Sequence, residues 1–534
     1  MPDKDSLAIF LISVVIFTIG LSPEFVGFDC RFAVFAKEML RTGPTFFPIT
    51  YGQPYPDYPG TSTFLIYLVS LLFGKVTPFT AILPTAIVSA LILVLIYRIG
   101  ASHSQQWGIL AVLLALFTIE FFSYSRGISI DQYTTLTTIL CFYLAYSADI
   151  YKKHKHLWFI PLLFMVGFAF RGPIGLIIPA GVICAYYLYN RDLMKFAVMA
   201  SLSAMLLVFC SFALLAAAKY QGGESFVRQV IQSQVTGRIS DDPKHWIGYY
   251  FTESFAKYAI SYPFAVIVVV VLHKKIFRRE NDDYRLLGSL IIWILVVLIG
   301  MSIPGTKKIR YVLPMIPAVS LVASYIFISP VQKGILFRIK KIFLRFCSWF
   351  PLGTAIVIPA LWAARGKFVF LSEVHFITVF IIAIILAIAV WVLNQTFKDS
   401  AMRDLVYIAI GTVTFILIIV GINDPINYYY NRTKPFVAEV ETLRFQQPGE
   451  IIFYKIYPNS EAIRFMANLD EQLNPRFISN AEDILDFQIP AYFIALKDDF
   501  NALPKNVTSH IKCLYSGKIG RDDCMVFVCE SSKL

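Results

Sequence analysis

Residues 286–328 read LLGSLIIWILVVLIGMSIPGTKKIRYVLPMIPAVSLVASYIFI, two apolar runs joined by a turn that holds Lys307, Lys308 and Arg310. A bilayer core of about 30 Å is crossed by roughly 20 apolar residues in a helix. Each run therefore reads as a spanning helix, and the turn as a connection at one membrane surface. Working outward, windows of this kind lie near 6–22, 79–98, 107–123, 131–150, 157–170, 173–189, 196–218, 255–272, 286–304, 311–328, 350–364, 374–394 and 403–421, thirteen in all. The expected fold is mainly α: a polytopic membrane protein.

The composition agrees. Of 534 residues, 57% are hydrophobic and 15% charged, whereas soluble domains average about 25% charged. A water-soluble enzyme of this size is excluded, and so is disorder, because this much apolar surface must be buried. Eight cysteines without a CxxC pair exclude a zinc module or a disulfide scaffold. The formal charge of +12 raises the question of an anionic partner, but the positions of the cations answer it. With the N-terminus inside, the inner loops carry Lys152, Lys153 and Lys155, then Lys274, Lys275, Arg278 and Arg279, then Arg338, Lys340, Lys341 and Arg345. Lysine and arginine are retained on the cytoplasmic side, so most of the surplus is a topology signal and no nucleic-acid partner is required.

Residues 1–22 lack a basic start and a small-residue cleavage site, so they are expected to remain as the first helix. Thirteen spans then place the C-terminus outside. Two external loops are long, about 23–78 and 219–254. From residue 422 the chain gains Asp, Glu and Asn, and runs such as EIIFYKIY and AYFIALK alternate with the polar helical stretch SEAIRFMANLDEQL. The expected division is a transmembrane part, 1–421, followed by an external α/β domain, 422–534. Cys513, Cys524 and Cys529 in that domain could supply one disulfide in an oxidising compartment.

The residues able to do chemistry collect at the outer surface. In the first loop, Arg31–Leu40 has the pattern of a short amphipathic helix lying along the membrane, with Phe32, Phe35, Ala36 and Met39 on one face and Arg31 and Lys37 off it. Asp29 precedes it, either as a helix cap or as a reactive carboxylate. Asp57 follows in a loop of prolines and tyrosines, where a turn role is the simpler reading. Asp131 opens the fourth span, and Arg126 nearby is the expected ion-pair partner. Arg171 stands before Gly172-Pro173 at the outer boundary, where snorkelling is the alternative to ligand binding. The second long loop holds Arg238, Asp241, Asp242 and His245. Lys307, Lys308 and Arg310 run against the positive-inside trend, and a fixed external anion explains them. Phosphate is the candidate, since arginine grips its oxygens with two prongs and lysine acts as a point charge. No Walker loop, dinucleotide-binding glycine motif or HExxH helix occurs. Asp57 and His245 are the candidate ligands if a divalent metal takes part; no other cofactor is indicated.

In order along the chain come FDCR (28–31), YGQPYPDYP (51–59), Asp131 at the head of the fourth span, RGPIG (171–175), Gly237-Arg238 followed by HWIGYY (245–250), and GTKKIRYVLPMIPA (305–318). This order resembles the bacterial lipid A aminoarabinose transferases and the protein O-mannosyltransferases, membrane glycosyltransferases of the GT-C architecture. The resemblance implies a polyprenyl (undecaprenyl) phosphate sugar donor, an external acceptor such as lipid A, another envelope glycan or a protein, and a monomer in the bacterial inner membrane. It implies Asp29 as catalytic base, with Asp131 a second catalytic acid residue. Arg31, Asp57, Tyr58, Arg126, Arg171, Arg238, Lys307, Lys308, Arg310 and Tyr311 would bind the lipid phosphate and sugar. Two positions depart from the family pattern: Phe28-Asp29 stands where Asp-Glu is usual, and Asp57-Tyr58-Pro59 where aminoarabinose transferases have Glu-Lys-Pro. The second departure points away from a true aminoarabinose transferase. A transporter or flippase is the competing reading, since helices broken at Gly-Pro also suit one, and a structural partner for envelope enzymes is a third. Transporters place ionisable residues near mid-membrane and carry repeats, and neither feature is visible here.

Overall fold

The computed structural model describes residues 4–57, 59–152, 154–236, 245–330, 333–371, 373–395, 400–471, 473–487 and 491–529. Tyr58, Arg238, Asp241 and Asp242 lie outside the described residues. The thirteen apolar windows fall largely on helices. By length and composition seven described helices can cross a membrane, or up to nine if each of two bent pairs is one span. The difference from thirteen has a simple origin. Lys4–Thr18 has 15 residues, Phe159–Arg171 has 13 and Pro173–Tyr189 has 17, all short of the roughly 20 that cross a bilayer core. Ile130–Tyr151 is long enough, but Asp131, Gln132 and a run of threonines lower its apolarity. The chain is a multi-pass membrane protein.

The bent pairs are Gln105–Leu116 with Ile119–Ser125, at 77°, and Tyr249–Lys257 with Ser261–Arg278, at 118°. A broken helix frees carbonyls that lipid cannot satisfy. The two breaks meet and solve this together. The hydroxyls of Thr118 and Ser261 lie 2.8 Å apart, and each donates to the Leu114 carbonyl at 2.9 Å.

The apolar helices differ sharply in surroundings. Ile309–Ile328 is enclosed over 89% of its apolar window. The indole N–H of Trp107 donates to the Leu321 carbonyl, and that of Trp293 to the Pro314 carbonyl, both at 2.9 Å. Phe376–Leu393 is more apolar, with mean hydropathy 3.1, but only 22% of its window is buried, as suits a helix facing lipid. Phe159–Arg171 and Pro173–Tyr189 form a hairpin whose tip, Gly172, has φ +65°. A Cβ on Gly175 would collide with the Gly167 carbonyl, so both positions must be glycine for backbones this close. That contact fixes Arg171 at the tip.

The first long loop is mostly ordered secondary structure. It has a 3₁₀ turn, Phe28–Cys30, the helix Arg31–Thr42, a hairpin of β1 (Ile49–Thr50) and β2 (Gln53–Pro54), and the helix Thr61–Phe73. Arg31–Thr42 is buried on both faces, Arg31 included, because Thr61–Phe73 packs on one side and Glu461–Asn468 on another. The second long loop begins as a continuation of the helix Leu193–Ile231. Beyond the helices, β3 (Glu450–Tyr454), β4 (Arg476–Ile478), β5 (Ala491–Leu496), β6 (Ile511–Ile519) and β7 (Asp522–Cys529) form one sheet in the order β4-β3-β5-β7-β6. The expected disulfide is not formed. Register places Cys513 opposite Phe527, Cys524 opposite Gly517 and Cys529 opposite Ile511, so no two of these cysteines face one another.

Candidate active site

Asp29 sits in the 3₁₀ turn that leads into Arg31–Thr42. It does not cap that helix: the cap position is Cys30, without a side-chain bond. Its carboxylate turns to two guanidiniums, Arg310 Nη1 at 2.7 Å and Arg31 Nη2 at 3.5 Å. Arg310 continues to Asp131, with Nε 3.5 Å from Oδ2. Asp131 is held in turn by Arg171 Nη2 at 3.0 Å, and Arg171 lies 5.1 Å from the ring centroid of Tyr311. Residues from four separated stretches thus form one alternating line: Arg31, Asp29, Arg310, Asp131, Arg171.

Two expectations are corrected here. Arg126 does not pair with Asp131. It pairs with Asp424 at 2.9 Å and donates to the carbonyls of Ile16 and Ile19 at 2.8 and 2.7 Å. The end of Ile119–Ser125 turns it toward the frayed end of the first helix and away from the fourth. Nor does Arg171 snorkel, since its side chain is only 2% exposed. A buried charge needs a partner, and Asp131 is that partner.

Around the line stand further cations. Lys307 is buried, with its ammonium 3.3 Å from the His245 carbonyl. Lys308 is exposed, and its backbone N–H donates to the Tyr250 hydroxyl at 3.2 Å. Partial desolvation, then repulsion from Arg310 and Arg31, hold the Lys308 ammonium below the ordinary lysine pKa. Three arginines and two lysines against three carboxylates, Asp57 among them, leave positive charge for an anion to neutralise. Tyr55 donates no charge but accepts from Arg31 Nη1 at 3.4 Å; burial raises its pKa and keeps it neutral. Asp57 is tied through its backbone carbonyl, which accepts from the Gln234 amide. His245 stacks on Tyr249, ring centroids 4.2 Å apart. Among the described residues no group of three His, Cys, Asp or Glu side chains could hold a metal ion.

Asp29 also lines a cavity of about 1040 Å³. Its lining includes the polar side chains of Glu24, Glu120, Tyr124, Arg126 and Asp424 and the apolar ones of Ile381, Ile382, Ile385 and Leu417. Arg31, Arg171, Lys307, Lys308 and Arg310 are not in its lining. Sequence reading missed Glu120, Tyr124 and Tyr55. Glu120 carried a signal, an acid inside the apolar run LFTIEFF, which is costly at membrane depth without a use. Tyr55 carried none that separates it from its neighbouring tyrosines.

Comparison with known proteins bears on this arrangement. The profile of the dolichyl-phosphate-mannose-protein mannosyltransferase family matches residues 57–215. An uncharacterized protein of Aquifex aeolicus (strain VF5) is 23% identical over 331 residues; the match spans 61% of this chain and 64% of that relative's length. The crystal structure of ArnT from Cupriavidus metallidurans bound to undecaprenyl phosphate superposes with a TM-score of 0.70 at 12% identity, covering 98% of each chain. The archaeal oligosaccharyltransferase AglB from Archaeoglobus fulgidus, in complex with an inhibitory peptide and a dolichol-phosphate, gives a TM-score of 0.51 at 10% identity, over 92% of this chain and 69% of that one. The chain thus has the fold of ArnT over nearly its whole length, and residues 57–215 resemble the protein mannosyltransferases.

Proposed function

We propose that this protein transfers a sugar from a polyprenyl (undecaprenyl) phosphate to a hydroxyl acceptor at the membrane face that carries the sheet. In a single displacement the acceptor oxygen attacks the anomeric carbon, the bond from that carbon to the phosphate oxygen breaks, and the configuration inverts. The electron pair leaves with the phosphate, where Arg31, Arg310, Lys307 and Lys308 oppose the growing charge. The acceptor proton passes to Asp29. Arg310 contacts both Asp29 and Asp131, so it sets the base relative to the leaving group. Asp131 and Arg171 act one step back, by orienting Arg310.

The observation that carries this reading is the double engagement of Asp29, which is ion-paired to Arg310 and also lines the large cavity. A base in reach of both a phosphate-binding cation and an open cavity suits a single displacement. The cavity, lined by both apolar and charged side chains, suits a lipid-anchored acceptor. An envelope glycan, a protein hydroxyl or lipid A remains the field of acceptors. The reading further places residues 1–421 in the bacterial inner membrane with the N-terminus cytoplasmic, and 422–534 as a periplasmic domain of a monomer.

Mass spectrometry of envelope lipids and glycoproteins from a deletion strain tests this directly. One glycoform should vanish, return with the wild-type gene and stay absent with Asp29→Asn. An unchanged glycan profile, or full complementation by Asp29→Asn, would overturn it.

A further inference from the structure

The short segment that carries Asp29 is gripped on both sides by the sheet-bearing unit. Upstream, the Glu24 carboxylate, 2% exposed, accepts the backbone N–H groups of Thr433 and Lys434. These are the first free donors of the helix Lys434–Gln446. The Asn468 amide then brackets Phe25, accepting its N–H at 2.8 Å and donating to its carbonyl at 2.9 Å. Downstream, the Lys37 ammonium donates to the carbonyls of Met466, Ala467 and Leu469 at 3.4, 2.7 and 2.8 Å. These lie at the C-terminal end of the helix Glu461–Asn468.

The charges match the ends they meet. A helix leaves unpaired N–H groups and partial positive charge at its start, unpaired carbonyls and partial negative charge at its finish. The loop offers an anion to one helix start and a cation to another helix finish. Asp29 lies between the two grips, and Cys30 and Phe32 beside it pack in one apolar cluster with Ile463, Phe465 and Met466. Neither Glu24 nor Lys37 belongs to the line of charges that runs from Arg31 to Arg171.

We infer that Lys37 and Glu24 are positioning residues, which dock the sheet-bearing unit onto the first loop and thereby hold Asp29 against Arg310. This rests on the reading of Asp29 as the proton acceptor. A reactive group displaced by about 1 Å can lose on the order of 100-fold in rate, so a 2.7 Å contact made from a three-residue turn depends on what fixes that turn. The helix ends do so from outside the membrane part. Burial pushes the Lys37 ammonium down to about 8, with Asp470, Cys30 and Glu441 acting in the opposite sense. Rising pH therefore removes a proton from the grip, and the neutral amine faces one carbonyl with a lone pair.

The test uses the full chain in lipid nanodiscs, supplied in turn with undecaprenyl phosphate linked to mannose, glucose and aminoarabinose, and membranes of the deletion strain as acceptor source. Hydrogen exchange over residues 24–37 is followed in the same samples. Lys37→Met should speed exchange there and lower kcat about tenfold, with the KM for donor changed less than about threefold, the signature of a lost transition-state arrangement. Lys37→Arg should restore kcat to within about threefold and abolish the fall in kcat between about pH 8 and 9, since arginine stays charged. Asn468→Ala probes the other grip from outside the cavity and should act in the same direction if Lys37→Met folds poorly. Faster exchange with an unchanged kcat in both Lys37→Met and Asn468→Ala overturns the positioning role alone. Full transfer by Asp29→Asn overturns the base assignment on which it rests.

Discussion

The two sides of Asp29 are built from opposite materials. One side is a rank of guanidinium and ammonium groups contributed by Arg31, Arg171, Lys308 and Arg310. The other is a cavity lined by Glu24, Glu120, the Arg126–Asp424 pair and a set of isoleucines and leucine. The first is prepared for an anion that can be released, the second for an amphiphile that carries a hydroxyl. A single carboxylate shared by both is where proton removal and charge departure are coupled, and the difference teaches that neither side alone defines the reaction.

Breaking the shared element should have the largest effect. Asp29→Asn keeps shape and removes basicity, so transfer measured with a labelled polyprenyl-phosphate sugar should fall by about 10²–10⁴-fold while undecaprenyl phosphate still binds. Next comes the cationic side. Arg310→Gln should cost about 10²–10³-fold in kcat, read in the same assay, and a loss below tenfold would show that Arg310 only shapes the site. The pair behind it answers in stability: Arg171→Met leaves Asp131 buried with one partner fewer and should lower the unfolding free energy by about 3–5 kcal/mol, measured as a drop in melting temperature in detergent. The cavity side should respond more gently and selectively. Glu120→Gln is expected to change the KM for acceptor by about threefold to tenfold and leave the KM for donor alone; equal changes in both would dissolve the distinction between the sides.

The smallest effect concerns Lys308. Its pKa lies below the ordinary lysine value, so as pH rises it loses its proton earlier than an exposed lysine would. Undecaprenyl phosphate binding should accordingly weaken toward alkaline pH, by about 1 kcal/mol or less for one exposed point charge. Lys308→Arg should flatten that dependence. Because it acts on donor affinity, it is separable from the Lys37 effect on kcat.

How much of this could be read without the structure depends on the residue. Arg171, Asp131 and Arg310 were marked by position alone, because charge at a membrane boundary is expensive, and the line of ion pairs assembles from them. Who pairs with whom was not legible. Arg126 and Asp131 are close in sequence, yet a helix end aims the first at Asp424 and the second at Arg171 and Arg310. Local spacing predicts partners along one helix, and these partners come from four stretches of chain. The helix Arg31–Thr42 was legible from its periodicity. Its second buried face was not, because the surface that covers it, Glu461–Asn468, lies more than four hundred residues away. All thirteen apolar windows fall largely on helices, and length and apolarity by themselves admit seven to nine described ones as spans.

The helix Phe376–Leu393 contributes Thr378, Ile381, Ile382 and Ile385 to the cavity wall, although it buries little of its own surface. It packs mainly against the helix Ile335–Ala363, and most of its remaining surface is open to lipid. A long-chain lipid arriving sideways through that wall never has to leave the oil phase. Turnover would then answer to the thickness and fluidity of the surrounding bilayer, and the same protein would run at different speeds in different membranes.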